Sequence, residues 1–452
     1  MFVLLLSAAL AAPTAPHLPS AASPASAPDR GPLAAPGAPE SDELFRAFVA
    51  QGAEREPVAL AGSGARLLDV YQAGDLAILH DADGEWFAEA LTQGGDPLAW
   101  MLGSLEAAFY KKYEDDYQYL TVLLVKDFGI FAAFYSPMAN DVRGIGYDSM
   151  FAGEEFDFTS NQLDGFIFMN YYGLWTESPD VGRYVFGQEF MHRWGSFVNI
   201  EKEGLDAEAL LGRDTAHWSY FMSTPNSPME GNTWLDNGDG TWTTENDGVS
   251  TYSDLDLYLM GLVGPDEVGP QSLLLVDEAE ATAAGIEAAS TPEYLNRYSG
   301  GNNVTLAGTP VSFTVDDIIA AEGARIPSVE DSPKDFRMAF LVLVLSEDTF
   351  GEAEIAEIDE VRRTWEADWE EDVGFRADLD TTLGNSTAPT WGEPVDGEDD
   401  TAVDTDTVDC CKTQVDEEPE GCGCTSTGGP GGLAVGALAL VALLGARREA
   451  RS

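Results

Sequence analysis

Residues Gln188-Glu189-Phe190-Met191-His192-Arg193-Trp194-Gly195 set a carboxylate and an imidazole about one helical turn apart. In an H-E-x-x-H helix two histidines at i and i+4 face one metal ion, and the Glu beside the first takes a proton from the bound water. Here Glu189 and His192 stand at the Glu and second-His positions, and Gln188 takes the place of the first His. An amide oxygen is a neutral, weak donor that suits hard cations, so Gln188 would hold zinc loosely and the zinc would activate water poorly. A Glu and a His at this spacing equally describe a solvated pair or a hydrogen-bonded core histidine.

The chain has four histidines. His217, in Ala216-His217-Trp218, follows His192, and Met229 comes next in Ser227-Pro228-Met229-Glu230. His217 beside Trp218 and Tyr220 also reads as a buried, hydrogen-bonded His, and Met229 as core packing.

The elements that must position these residues follow from pattern. Asp75 to Asp83 reads as a strand. Asp96-Pro97 caps a helix expected from Pro97 to about Asp115, with Leu98, Met101, Leu102, Leu105 and Phe109 at helical spacing. The apolar runs Tyr119 to Val125, Ile130 to Tyr135 and Phe166 to Tyr171 read as strands, and Ser178-Pro179 opens a helix running to about Gly195 that carries the Glu-His pair. Asp236-Asn237-Gly238-Asp239-Gly240, between Trp234 and Trp242, lacks the downstream Glu of a calcium loop and reads as a hairpin turn. Tyr252 to Leu262 is expected to be a short helix with Asp254 and Asp256 in structural roles. Further on, Ser272 to Val276 and Val311 to Val315 read as strands, and Phe336 to Leu345 and Glu352 to Trp369 as helices, which suggests a smaller C-terminal subdomain.

Together the Glu189, His192, Gly195, His217 and Met229 series resembles a metzincin zinc metalloprotease, in the leishmanolysin-like layout where an insertion delays the third ligand. The resemblance covers roughly Asp75 to Leu262 and implies an α+β fold with a mixed, zincin-like sheet and an active-site helix. It implies zinc, weakly held by His192, His217 and Gln188, with Glu189 as general base, Gly195 turning the chain out of the helix and Met229 packing beneath the site. It also implies a protein or peptide substrate. The compact third-ligand position falls on Val198, and the Gln188 substitution leaves two expectations open: a zinc endopeptidase, or a zincin-fold pseudoenzyme serving as a surface peptide-binding or adhesion module.

The formal net charge of -56, from 79 acidic and 23 basic residues, would repel a phosphate backbone and excludes nucleic acid as a partner. At 44% hydrophobic and 10% aromatic content over 452 residues the middle of the chain can bury a large core. Met1 to Ala12 is an apolar run with Ala9 and Ala11 at export-peptidase spacing and reads as a signal peptide, followed by an Ala/Pro/Ser linker over 13–41. The expected catalytic domain covers 42–262, the C-terminal subdomain 263–391 and an acidic stalk 392–420. All four cysteines, Cys410, Cys411, Cys422 and Cys424, lie beyond the folded region. Residues 421–452 combine Cys422 and Cys424 with an apolar run from Leu433 to Ala446 and then Arg447 and Arg448. This order resembles the MYXO-CTERM sorting tail, which implies export, membrane attachment through the tail and display on the outer surface.

Overall fold

A computed structural model describes residues 64–92, 97–128, 133–147, 150–151, 158–225, 227–245, 251–292 and 303–393. The expected signal peptide, the linker and the sorting tail with Cys422 and Cys424 lie outside them. Among the described residues no helix is long and apolar enough to cross a membrane. The architecture is α+β.

A seven-stranded sheet has the order β1 (Asp69–Ala73), β2 (Leu76–Asp81), β13 (Asp335–Leu345), β3 (Tyr119–Leu124), β7 (Gly165–Tyr171), β4 (Phe134–Pro137), with β14 (Asp378–Asp380) added alongside β13. The middle of this sheet is parallel, whereas β1 and β4 run antiparallel to their neighbours. Side chains alternate across it. Leu120, Val122, Ala339 and Leu341 face a core shared with α1 (Glu85–Thr92) and α2 (Pro97–Tyr110). Tyr119, Leu123, Met338 and Phe340 face the opposite core, shared with α4 (Pro179–Met191) and α8 (Glu352–Asp372). Phe186 of α4 stacks on Trp365 of α8 with ring centroids 4.7 Å apart, and Arg183 pairs with Asp368, Glu371 and Asp372.

Burial on both faces corrects one expectation. Phe336 to Leu345 is strand β13, not a helix, because a strand covered on both sides needs no polar alternation and its apolar run matches a buried helix in composition. A second correction follows. The boundary expected between 262 and 263 does not divide the fold, since β13 inserts between β2 and β3 and supplies the middle of the sheet. The segment 263–391 is thus not a separate subdomain.

Between α4 and β13 the chain forms a closed five-stranded barrel, ordered β10 (Thr241–Glu245), β12 (Thr305–Phe313), β11 (Gln271–Val276), β8 (Trp218–Ser223), β9 (Glu230–Asp236). Tyr220, Trp234, Leu274 and Leu306 fill it. The β9–β10 connection is the expected hairpin over Asn237 to Gly240. Short pieces complete the chain: β5 (Ala139–Asn140), β6 (Met150–Phe151), α3 (Gly173–Glu177), α5 (Asp254–Met260), α6 (Glu278–Ala283) and α7 (Val315–Glu322).

Candidate functional site

The site lies where α4 meets the start of the barrel. Pro at the first position opens α4, and its residues from Tyr184 to Met191 are all buried. Gln188 and Glu189 are almost fully covered, and His192, at the helix end, keeps partial exposure. The expected role of Gly195 changes in detail. Its φ is not positive, and a Cβ there would stand 2.8 Å from Met191 Cε and 3.3 Å from Leu259 Cδ1, so glycine serves close packing.

The chain returns to the site through a 3-10 turn, Arg213–Thr215, that leads into His217 and β8. The link back is short: Ser196 N–H donates to Ala216 C=O at 3.4 Å. His192 and His217 stand with ring centroids 4.9 Å apart and planes at 90°. Met229 is fully buried in the core that α4 faces, and its neighbour Pro228 accepts a hydrogen bond from Gln188 Nε2 at 3.0 Å. Gln188 Nε2 also donates to Tyr184 Oη at 3.1 Å.

The cation at this site is Arg213. Its Nη2 donates to His217 Nε2 at 2.8 Å and to Glu230 Oε1 at 2.5 Å, Nε donates to Glu230 Oε1 at 3.1 Å, and Nη1 pairs with Asp214 at 3.0 Å. Because guanidinium only donates, His217 Nε2 must be the acceptor, and His217 Nδ1–H then donates to the Arg213 carbonyl at 2.8 Å. This fixes the tautomer and commits the lone pair that would face a metal. His217 is 3% exposed, Glu230 1% and Arg213 17%.

Electrostatics agree with this placement. Burial pushes His192 down to about 3, and the Arg213 charge pushes the same way. Burial, Arg213 and His192 together hold His217 well below the usual imidazole range. Both rings are therefore neutral at pH 7. Burial raises Glu189 to about 8 against the lowering pull of Arg213 and of a backbone hydrogen bond from Tyr135 on β4. Burial likewise pushes the Glu230 carboxyl up, and Arg213 pulls it back down. A buried carboxylic acid that is neutral at pH 7 is a poor base for activating water.

Backbone strain marks the barrel side of the site. Asp214 (φ 60), Thr215 (φ 47) and Glu230 (φ 73) are three of the five non-glycine residues with positive φ among those described. Such positions cost roughly 1–3 kcal/mol each and persist only where the surroundings fix them, the more so for a β-branched Thr. Asp256, at the start of α5, is the fastening point. Its carboxylate accepts from Trp218 Nε1 at 2.8 Å, Ser227 Oγ at 2.7 Å and Ser253 N and Oγ at 2.8 Å each. It therefore ties both strand starts of the barrel to the α5 capping box, in line with the structural role expected for it.

A zinc ion does not fit these residues as they stand. One imidazole lone pair is taken, a positive guanidinium sits among the donors, and among the described residues no group of three or more His, Cys, Asp or Glu is arranged to hold a metal ion. The residues that sequence reasoning missed are Arg213 and Glu230. Glu230 adjoins Met229, but nothing in the spacing marks Arg213, four residues before His217 in an irregular turn. Comparison with protein-family models, with curated proteins and with solved structures finds no match for this chain.

Proposed function

We propose that this chain is a non-hydrolytic, metzincin-like surface protein: exported, attached through its C-terminal tail, and acting as a peptide-binding or adhesion module instead of a working zinc endopeptidase. One observation carries the reading, the bond of Arg213 Nη2 to His217 Nε2 at 2.8 Å, which puts an arginine where hydrolysis would need a Lewis acid. Glu189, raised to about 8, is protonated at neutral pH and is the wrong form for a general base. The peptide-binding or adhesion part is the expectation that the Gln188 substitution leaves once hydrolysis is set aside. The strong acidity of the chain disfavours nucleic acid and suits a solvated outer surface.

The test is metal analysis and casein hydrolysis by the full-length chain purified without chelator. The expected result is no stoichiometric zinc and no cleavage. About one zinc per chain, with chelator-sensitive hydrolysis that Glu189→Gln abolishes, would establish the endopeptidase instead.

A further inference from the structure

The sheet path ends on β1, and the last described stretch of the chain closes over that end. After β14, residues 382–391 run out past the end of α2 and back along β1, joined to it by a parallel bridge between Gln72 and Thr390. Gln72 carries most of the join. Its N–H donates to the Pro389 carbonyl at 2.8 Å, its carbonyl accepts from Trp391 N–H at 2.9 Å, and its Oε1 accepts from Ser386 Oγ at 2.7 Å. Leu383 N–H donates to Asp75 Oδ1 at 3.1 Å, Gly384 N–H to Tyr117 Oη at 2.7 Å, and Thr387 N–H to the Lys112 carbonyl at 2.9 Å. Pro389 has no N–H, so the pairing cannot continue toward Val70. Trp391 closes the segment, edge-on to Tyr71, His80 and Phe350 with ring centroids 5.1, 5.2 and 5.4 Å away.

No residue from Thr382 to Trp391 is buried, whereas Met338 to Leu345 of β13 are all buried and that strand is paired on both sides. Backbone held by few bonds over little covered apolar surface opens at a lower free energy than the core. What it covers is an edge. Without it Gln72 would offer an unpaired N–H and C=O, and the half-buried rings of Tyr71 and Phe350 would lose their cover. We propose that residues 382–391 are a detachable clip over the β1 edge, which opens as one unit while the rest of the sheet stays folded, and that a pull on the tail opens it. The chain passes Trp391 two residues before Glu393, so tension from the C-terminal side reaches Trp391 and Gln72 before it reaches β14. The pull as a signal rests on the proposed attachment through the tail, and the clip itself does not.

Hydrogen exchange on the full-length chain tests the clip. The amides of Gln72, Thr387 and Trp391 should share one level of protection, lower than that of Leu120 to Leu124 in β3. Trp391→Ala should speed exchange at Gln72 and Thr387 together by about tenfold or more, through the loss of its ring contacts, and leave β3 unchanged. Tension is tested by stretching the same chain between its N-terminal end and the tail, where all four cysteines offer a point of attachment. A first extension of up to about 35 Å, the reach of the extended residues 382–391, should precede unfolding of the sheet, at a force that Trp391→Ala lowers. Clip amides as protected as β3, a Trp391→Ala chain in which Gln72 is unchanged or β3 speeds by the same factor, or rupture of clip and sheet in one step would overturn the inference. A chain found free in the medium with its tail intact would overturn the surface attachment and leave the clip standing.

Discussion

The helix half of the site and the barrel half hold their side chains by different means. Gln188, Glu189 and His192 ride on α4, whose other residues are anchored by apolar packing: Phe186 on Trp365, and Phe190 on Tyr119 with centroids 4.7 Å apart. Regular φ/ψ and a buried face fix that half. Arg213, His217 and Glu230 sit on irregular backbone with positive φ at Asp214, Thr215 and Glu230, and they are fixed by charge and hydrogen bonds: Arg213 to Glu230, His217 to the Arg213 carbonyl, and Asp256 to Trp218 and Ser227. The difference teaches where the site is vulnerable. The helix half tolerates changes of functional group, while the barrel half depends on every partner of one buried ion pair.

The largest expected effect lies in the barrel half. Glu230→Gln keeps the shape of the side chain but leaves Arg213 without its buried counterion, and breaking such a pair costs about 3–5 kcal/mol. Because Arg213 keeps 17% exposure and Asp214 as a second partner, the lower end, about 3 kcal/mol, is expected. Urea unfolding at pH 7 measures it. A loss below about 1 kcal/mol would mean that the ion pair does not hold this half together, and the comparison would fail.

An intermediate effect separates the halves by pH. Glu189 has its folded pKa raised from 4.5 to about 8, so between those values the folded chain binds the proton that the unfolded chain has lost. Stability from this group is complete below about pH 4.5 and is lost as pH rises through 8. His192, lowered from 6.5 to about 3, works oppositely: the unfolded chain binds the extra proton, so its contribution grows from pH 3 to 6.5 and is then complete. Asp164 and Asp372, each raised to about 6, are mostly spent below pH 6.5. Glu230, Asp256 and Glu106 are raised too, so the Glu189 share of the loss between pH 6.5 and 8, roughly 1.5–2 kcal/mol at up to ~1.4 kcal/mol per pH unit, is read as the difference between wild type and Glu189→Gln. Glu189→Gln should flatten that limb. An unchanged slope in the variant would show that Glu189 is ionised in the fold, and would return it to candidacy as a base.

The same division governs what could be read from the chain. Helix α4, strands β3 and β7, the hairpin after Trp234 and helix α8 follow from caps, apolar runs and turn residues, because each local pattern agrees with its packing. The meeting of His192 and His217 was legible through the family-like series alone, since no local rule links residues on opposite sides of a long irregular connection. The identity of β13 was not legible because double-sided burial erases periodicity. Arg213 was not legible either. Its position depends on a 3-10 turn with left-handed Asp214 and Thr215, conformations that those residue types do not advertise.

The smallest expected effect tests whether the helix half alone can change the chemistry. Gln188→His restores the missing imidazole of the H-E-x-x-H pattern at a position where the side chain is wholly buried. The imidazole can donate one N–H where the amide nitrogen now donates two, to Tyr184 Oη and the Pro228 carbonyl, so one hydrogen bond is lost, worth about 1 kcal/mol in urea unfolding. Zinc content should stay at the wild-type level, because Arg213 still occupies His217 Nε2 and its charge still opposes a dication among the rings. Casein hydrolysis should stay absent for the same reason. If Gln188→His by itself gained stoichiometric zinc, the guanidinium would have to leave His217 at little cost, and the barrel half would be the pliable one.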